Sequence, residues 1–108
     1  MDKPASKKGG KPSRDKGSRF ERAVVNELKA KHLDARRVPL SGAMWLKGDV
    51  EVSVHWRDDP LRLECKIRKD GFKEIYRWLD KNDALVIRAD GQPALAVLPL
   101  SMLADLLQ

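Results

Sequence analysis

The sequence predicts an α/β domain: a mixed central β-sheet flanked by helices, in the order αβββαββα. Three observations predict it. Apolar residues recur at helical spacing from Ser18 and again after Gly71. Between and beyond those stripes lie short segments in which apolar and polar residues alternate, the period of a half-buried strand. Turn chemistry, Asp58-Asp59-Pro60 and Asp90-Gly91, separates the alternating segments.

Residues 1–17 carry six basic residues against two acidic ones and no apolar residue beyond Met1 and Ala5. Such a segment cannot bury enough surface to offset its ordering entropy, so a flexible basic arm is expected. Arg14 and Lys16 are its candidate phosphate contacts, and a solubilising tail is the other reading. Residues 18–108 form one domain.

From Ser18, a candidate N-cap, Phe20, Val24, Val25 and Leu28 mark an amphipathic helix reaching about Leu33. Glu21 falls on or beside that stripe, in line with Val25, Leu28 and His32, where a carboxylate needs a polar receiver. Residues 35–40 read as a short strand that Pro39 demotes toward an edge, and 41–48 as a loop. In 49–56, Val50, Val52, Val54 and Trp56 take one side and Asp49, Glu51, Ser53 and His55 the other. After the turn, Leu61, Leu63, Cys65 and Ile67 alternate with Arg62, Glu64, Lys66 and Arg68, completing a hairpin that brings Asp49 near Glu64. Phe72, Ile75, Tyr76 and Leu79 mark a second helix ending near Asn82, with Trp78 off its stripe. Strands over 84–89 and 94–98 and a terminal helix over 100–107 complete the order.

Lys and Arg number 22 against 16 Asp and Glu, a net charge of +6 that favours a polyanionic partner, nucleic acid or an acidic membrane surface. The lone Cys65 permits no internal disulfide and no apolar h-region follows the basic start, so an intracellular, cytoplasmic protein is expected. No membrane segment is predicted, because the longest apolar run, 94–100, is short and contains Pro99.

The candidate chemistry lies in Asp49, which follows Gly48, and in Glu64-Cys65-Lys66, with Glu21 upstream. Phosphodiester hydrolysis requires hydroxide near neutral pH and an offset for charge on the leaving oxygen, and a divalent cation held by carboxylates supplies both. Mg²⁺ takes oxygen ligands, commonly one or two carboxylates with water. Asp49 and Glu64 fit that need, and the Cys65 backbone carbonyl offers a third oxygen. Lys66 shares a strand face with Glu64 and would set a point charge beside the attacking water or the phosphate. The bland reading is that Asp49 is a turn residue and Glu64 and Lys66 are a solvated pair. His32, His55 and Cys65 are too few and too badly spaced for zinc. Trp45 is the candidate for stacking on an unpaired base, since Trp56 continues a buried face.

The segments Lys16-Gly17-Ser18-Arg19-Phe20-Glu21-Arg22, Arg37 to Ala43, Gly48-Asp49-Val50, Leu63-Glu64-Cys65-Lys66, and Gly71-Phe72-Lys73 with Tyr76-Arg77-Trp78-Leu79 resemble the archaeal and phage Holliday-junction resolvases of the PD-(D/E)xK nuclease superfamily. The likeness covers about residues 16–100 and is nearest to phage members over 71–79. It implies a restriction-endonuclease-like core and a Mg²⁺-dependent endodeoxyribonuclease, with Mn²⁺ able to substitute, that resolves four-way DNA junctions by paired nicks. It also implies roles: Asp49 and Glu64 as metal ligands, Lys66 as the catalytic lysine, and Glu21 completing the metal site directly or through water. Ser41 would contact phosphate, and Arg19 and Arg37 match basic positions used on DNA. Gly48 departs from the proline of the superfamily name, and Met44-Trp45-Leu46 is an unassigned apolar insertion. Family members are two-fold dimers, which suits two symmetric nicks. Phe72, Tyr76, Trp78, Met102, Leu103 and Leu106 are candidates for the dimer face, though core packing explains them equally well. Two other readings stay open: a non-catalytic DNA-binding module of the same fold, and a nuclease acting on linear duplex.

Overall fold

Val24, Val25 and Leu28 recur on one face of helix α1, Asp2–Ala30, and all three are buried. The computed structural model describes residues 2–38 and 49–108, with side chains from residue 15 onward. Among the described residues it contains three helices and two small antiparallel sheets, in two compact units, residues 1–67 with 108 and residues 68–107.

In the first unit α1 packs on strands β1, Asp34–Arg37, and β2, Val50–Ser53. Ser18, expected as an N-cap, lies inside α1, whose helical backbone continues back through the segment expected to be a flexible arm. Extending an existing helix needs no new nucleus, so low helix propensity is a weak stop signal there. The other end is set by a Schellman motif. The Leu33 N–H donates to the Leu28 carbonyl at 3.1 Å and the His32 N–H to that of Lys29 at 2.9 Å. The helix therefore ends at Ala30, short of the expected Leu33, while Leu28 and Leu33 are both buried. His32 occupies the left-handed position of this motif at φ 66°, where a Cβ is strained. His32→Gly is expected to raise stability by about 0.5–1 kcal/mol, the relief of that strain less the entropy of glycine, as read by urea denaturation.

Strands β1, β2 and β3, Leu61–Leu63, pair antiparallel in that order. The register sets Ala35 opposite Val52, Arg37 opposite Val50, and Val50 opposite Leu63. Val50, Val52 and Leu28 are fully enclosed and, with Ala35, form the core of this unit. Strand β2 is shorter than the alternation predicts, and Trp56, expected on its buried side, is 56% exposed. The turn takes over early: the Arg57 guanidinium donates to the carbonyls of Asp59 at 2.9 Å and Pro60 at 3.5 Å, bonds local to the loop that replace a longer ladder. Strand β3 likewise stops at Leu63, so Glu64, Cys65 and Lys66 follow the strand, and Ile67, expected on the apolar side, is exposed. Pro39, Leu40 and the loop expected over 41–48 lie outside the described residues.

The second unit holds α2, Lys73–Leu79, the hairpin of β4, Leu85–Ile87, and β5, Leu95–Val97, and α3, Leu100–Leu106. Strands β4 and β5 pair antiparallel with Val86 opposite Ala96. Their turn is closed by a bond from the Gln92 N–H to the Ala89 carbonyl at 3.0 Å, with Gly91 at φ 77° in the conformation that glycine adopts without penalty. Of the expected α2 stripe, Phe72, Ile75 and Leu79 are half-buried, whereas Tyr76 is 74% exposed. Trp78 is exposed, in keeping with its place off the stripe.

The described strands therefore form two separate antiparallel sheets in place of the single mixed sheet expected. Each pairing joins strands that neighbour one another along the chain, and local antiparallel pairing needs no long crossover. No helix among the described residues is long and apolar enough to cross a membrane.

Candidate metal and phosphate site

Asp49 is fixed before its side chain is considered. Its N–H donates to the Leu63 carbonyl at 2.7 Å and its carbonyl accepts from the Val38 N–H at 3.0 Å, so the residue is laddered to both neighbouring chains. Its Oδ2 then accepts the Cys65 N–H at 2.7 Å. This bond closes the gap left where β3 ends and ties the Asp49 carboxylate to the backbone of Glu64-Cys65-Lys66. The two halves of the motif are thus brought together, by a side-chain bond and not by the continuous strand the alternation predicts. Replacing Asp49 by alanine would leave the half-buried Cys65 N–H unpaired, at a cost of about 1–3 kcal/mol.

Glu64 and Lys66 form an ion pair, Nζ to Oε2 at 3.2 Å, with both side chains more than half exposed. Neither is committed to the core.

Glu21 has the polar receiver its position demanded. Arg37 Nε and Nη2 both donate to Glu21 Oε1, at 3.2 and 2.9 Å, and Nη2 lies 3.5 Å from the Ser18 hydroxyl. Arg37 shares a sheet face with the buried Ala35 and is paired in register with Val50, which turns it toward α1. The resemblance matched Arg37 to a basic position used on DNA, and here its guanidinium is bound to Glu21. The signal that would have found this contact was already in the alternation: a cation two residues from a buried strand position, on the side facing the stranded glutamate. A second cross-strand group that the sequence reading did not single out joins Arg36 to Glu51 at 3.1 Å and to Ser53 at 3.1 Å, on the opposite face of β1 and β2.

Of the remaining candidates, Lys16 is half-buried and Arg19 exposed on α1. The Arg14 side chain, Ser41 and Trp45 lie outside the described residues.

Cys65 reports on the electrostatics of this corner. Its thiol is pushed up from 9.0 to about 11, first by burial and then by the negative charges of Asp49, Glu21 and Glu64. Because the folded thiol binds its proton more tightly than the unfolded one, its contribution to stability is full below pH 9 and is lost as pH rises from 9 toward 11. Alkylation at pH 8 should run roughly a hundredfold slower than for an unshifted thiol, matching the smaller thiolate fraction, and should quicken in Glu64→Gln. A rate equal to that of a small-molecule thiol would contradict the shift.

Among the described residues no group of three or more His, Cys, Asp or Glu is arranged to hold a metal ion. The donor atoms that Asp49, Glu64 and the Cys65 backbone carbonyl offer are all oxygen, the ligand type Mg²⁺ takes. Comparisons with protein-family models, with curated proteins and with solved structures found no match.

Proposed function

We propose that the chain is a Mg²⁺-dependent endodeoxyribonuclease that acts on branched DNA, with Asp49, Glu64 and the Cys65 carbonyl as the metal-binding oxygens. The observation that carries this reading is the bond from the Cys65 N–H to Asp49, which joins the aspartate preceding β2 to Glu64-x-Lys66. Mg²⁺ bound there supplies a more acidic water and an offset for charge on the leaving oxygen. The chain's own residues do the remainder. Lys66, exposed beside Glu64, neutralises charge on a phosphate oxygen, and the resemblance adds Glu21, held by Arg37, as a further carboxylate of the site. The net charge of +6 supplies sequence-independent attraction to the DNA backbone, and Lys16 and Arg19 are candidate contacts.

The preference for a four-way junction, the homodimer and the use of Mn²⁺ in place of Mg²⁺ rest on the resemblance to Holliday-junction resolvases. The exposed Tyr76, Trp78 and Leu106 are the apolar side chains a second copy would cover. The reading is tested by incubating labelled DNA with the protein in Mg²⁺ and in chelator. Cleavage in Mg²⁺ alone is expected. Tight binding without cleavage in Mg²⁺ would make the chain a DNA-binding module that keeps the fold.

A further inference from the structure

Trp78 stands off the apolar stripe of α2: Phe72, Ile75 and Leu79 are half-buried, while Trp78 is 50% exposed. Core packing therefore does not account for it. The β4–β5 hairpin sets Ile87 opposite Leu95, so those two side chains share one face of their sheet. With Trp78 and Pro93 they line an open cleft of about 460 Å³ inside the second unit, and Arg88 and Gln92 supply its polar lining. That volume falls in the range of small-ligand sites, roughly 300–1,000 Å³. Leu95 remains 62% exposed in this setting.

The polar groups of the cleft are uncommitted. The Gln92 N–H is spent on the Ala89 carbonyl, which fixes the turn and leaves the side-chain amide free. Among the described residues that amide, the Arg88 guanidinium and the Trp78 indole N–H have no hydrogen-bond or ion-pair partner. An indole, an apolar floor, one cation and one amide together suit a planar ring with polar edges and a negative charge attached. A second copy docking here about a two-fold axis would bring another Arg88 to the same interface and no anion to meet it. Residues 68–107 carry six basic and six acidic side chains, so the cleft's own attraction rests on Arg88 and on stacking.

We propose that this cleft takes one unpaired nucleobase, stacked on Trp78 over Ile87 and Leu95, with its phosphate at Arg88 and a polar edge toward Gln92. This deepens the nuclease reading above and rests on it: taking a base out of the stack costs least where it is already unpaired, as at a branch point.

The test measures binding of the full chain in chelator, where cleavage plays no part, to a labelled oligothymidine strand and to a fully paired duplex. Trp78→Ala should weaken binding to the single strand about 5-fold or more, the loss of one base–aromatic stack, and leave the duplex within about twofold. Trp78→Phe keeps an aromatic face and should stay within about threefold of the parent on both. Arg88→Gln should lower the slope of log affinity against log salt on the single strand by about 0.7, one phosphate contact. Unchanged single-strand affinity in Trp78→Ala, or an equal loss on both DNAs, overturns the proposal. So does sedimentation in which the parent is a dimer and Trp78→Ala a monomer of undiminished single-strand affinity, since a second copy would then cover the indole. If Trp78→Ala fails to fold, emission decides: the single strand should quench the parent more than Trp78→Phe, and equal quenching overturns the proposal. Absence of cleavage in Mg²⁺ with the single-strand results as expected would sink the nuclease reading alone, a result distinct from these.

Discussion

Asp49→Asn is expected to reduce DNA cleavage by at least about 10³-fold while leaving DNA affinity within a few-fold of the parent. Asparagine keeps an oxygen that can accept the Cys65 N–H, so the tie between the two halves of the motif survives and only the charge is lost. The loss should therefore appear in the chemical step and not in folding. Glu64→Gln and Lys66→Ala should behave alike, because both side chains are exposed and support no core. On the proposed reading the carboxylates face phosphate, so removing one also lowers repulsion and the first two variants should bind DNA as well as the parent or slightly more tightly. Gel-shift and cleavage assays on the same preparations check the pair of outcomes. Parallel loss of binding and melting temperature in all three would make the residues structural.

Leu28→Ala is the counter-case, expected to cost about 2–5 kcal/mol. Leu28 is fully enclosed where α1 meets the sheet, and its carbonyl accepts the capping N–H of Leu33. A cavity at this point loosens both the helix that carries Glu21 and the sheet that carries Asp49. Against a total stability of about 5–15 kcal/mol for a small domain, that is a large fraction. Cleavage and DNA binding should fall together and recover together on cooling, the pattern of a folding defect. A midpoint in urea close to that of the parent would show that Leu28 does not carry the packing assigned to it.

The difference between these two variants marks what the sequence could tell. Leu28, Val50 and Val52 were legible because period alone places them, and burial is what period reports. Glu21 was legible as an anomaly, a carboxylate on a helical stripe, but its partner was not. Pairing it with Arg37 depends on a sheet register in which Arg37 meets Val50, and register is a tertiary fact. The strand expected through Arg68 failed for a related reason. Alternation continues past Leu63, yet the Cys65 N–H is claimed by the Asp49 side chain, and local alternation does not show which acceptor wins. Among the described residues the expected single mixed sheet gave way to two antiparallel ones because strand periodicity says nothing about which strands pair. Ser18 misled in the simplest way: a good N-cap residue stands in mid-helix, where its hydroxyl lies beside Arg37.

The central claim is that Asp49 and Glu64-x-Lys66 form a metal-dependent nuclease site that acts on branched DNA. The most direct measurement places a labelled four-way junction and the matched linear duplex side by side with the protein in Mg²⁺, and maps every nick. Paired, symmetric nicks in the junction, absent from the duplex and lost in chelator, are the predicted result. Equal cutting of both substrates, or an intact junction bound tightly in Mg²⁺, would contradict it.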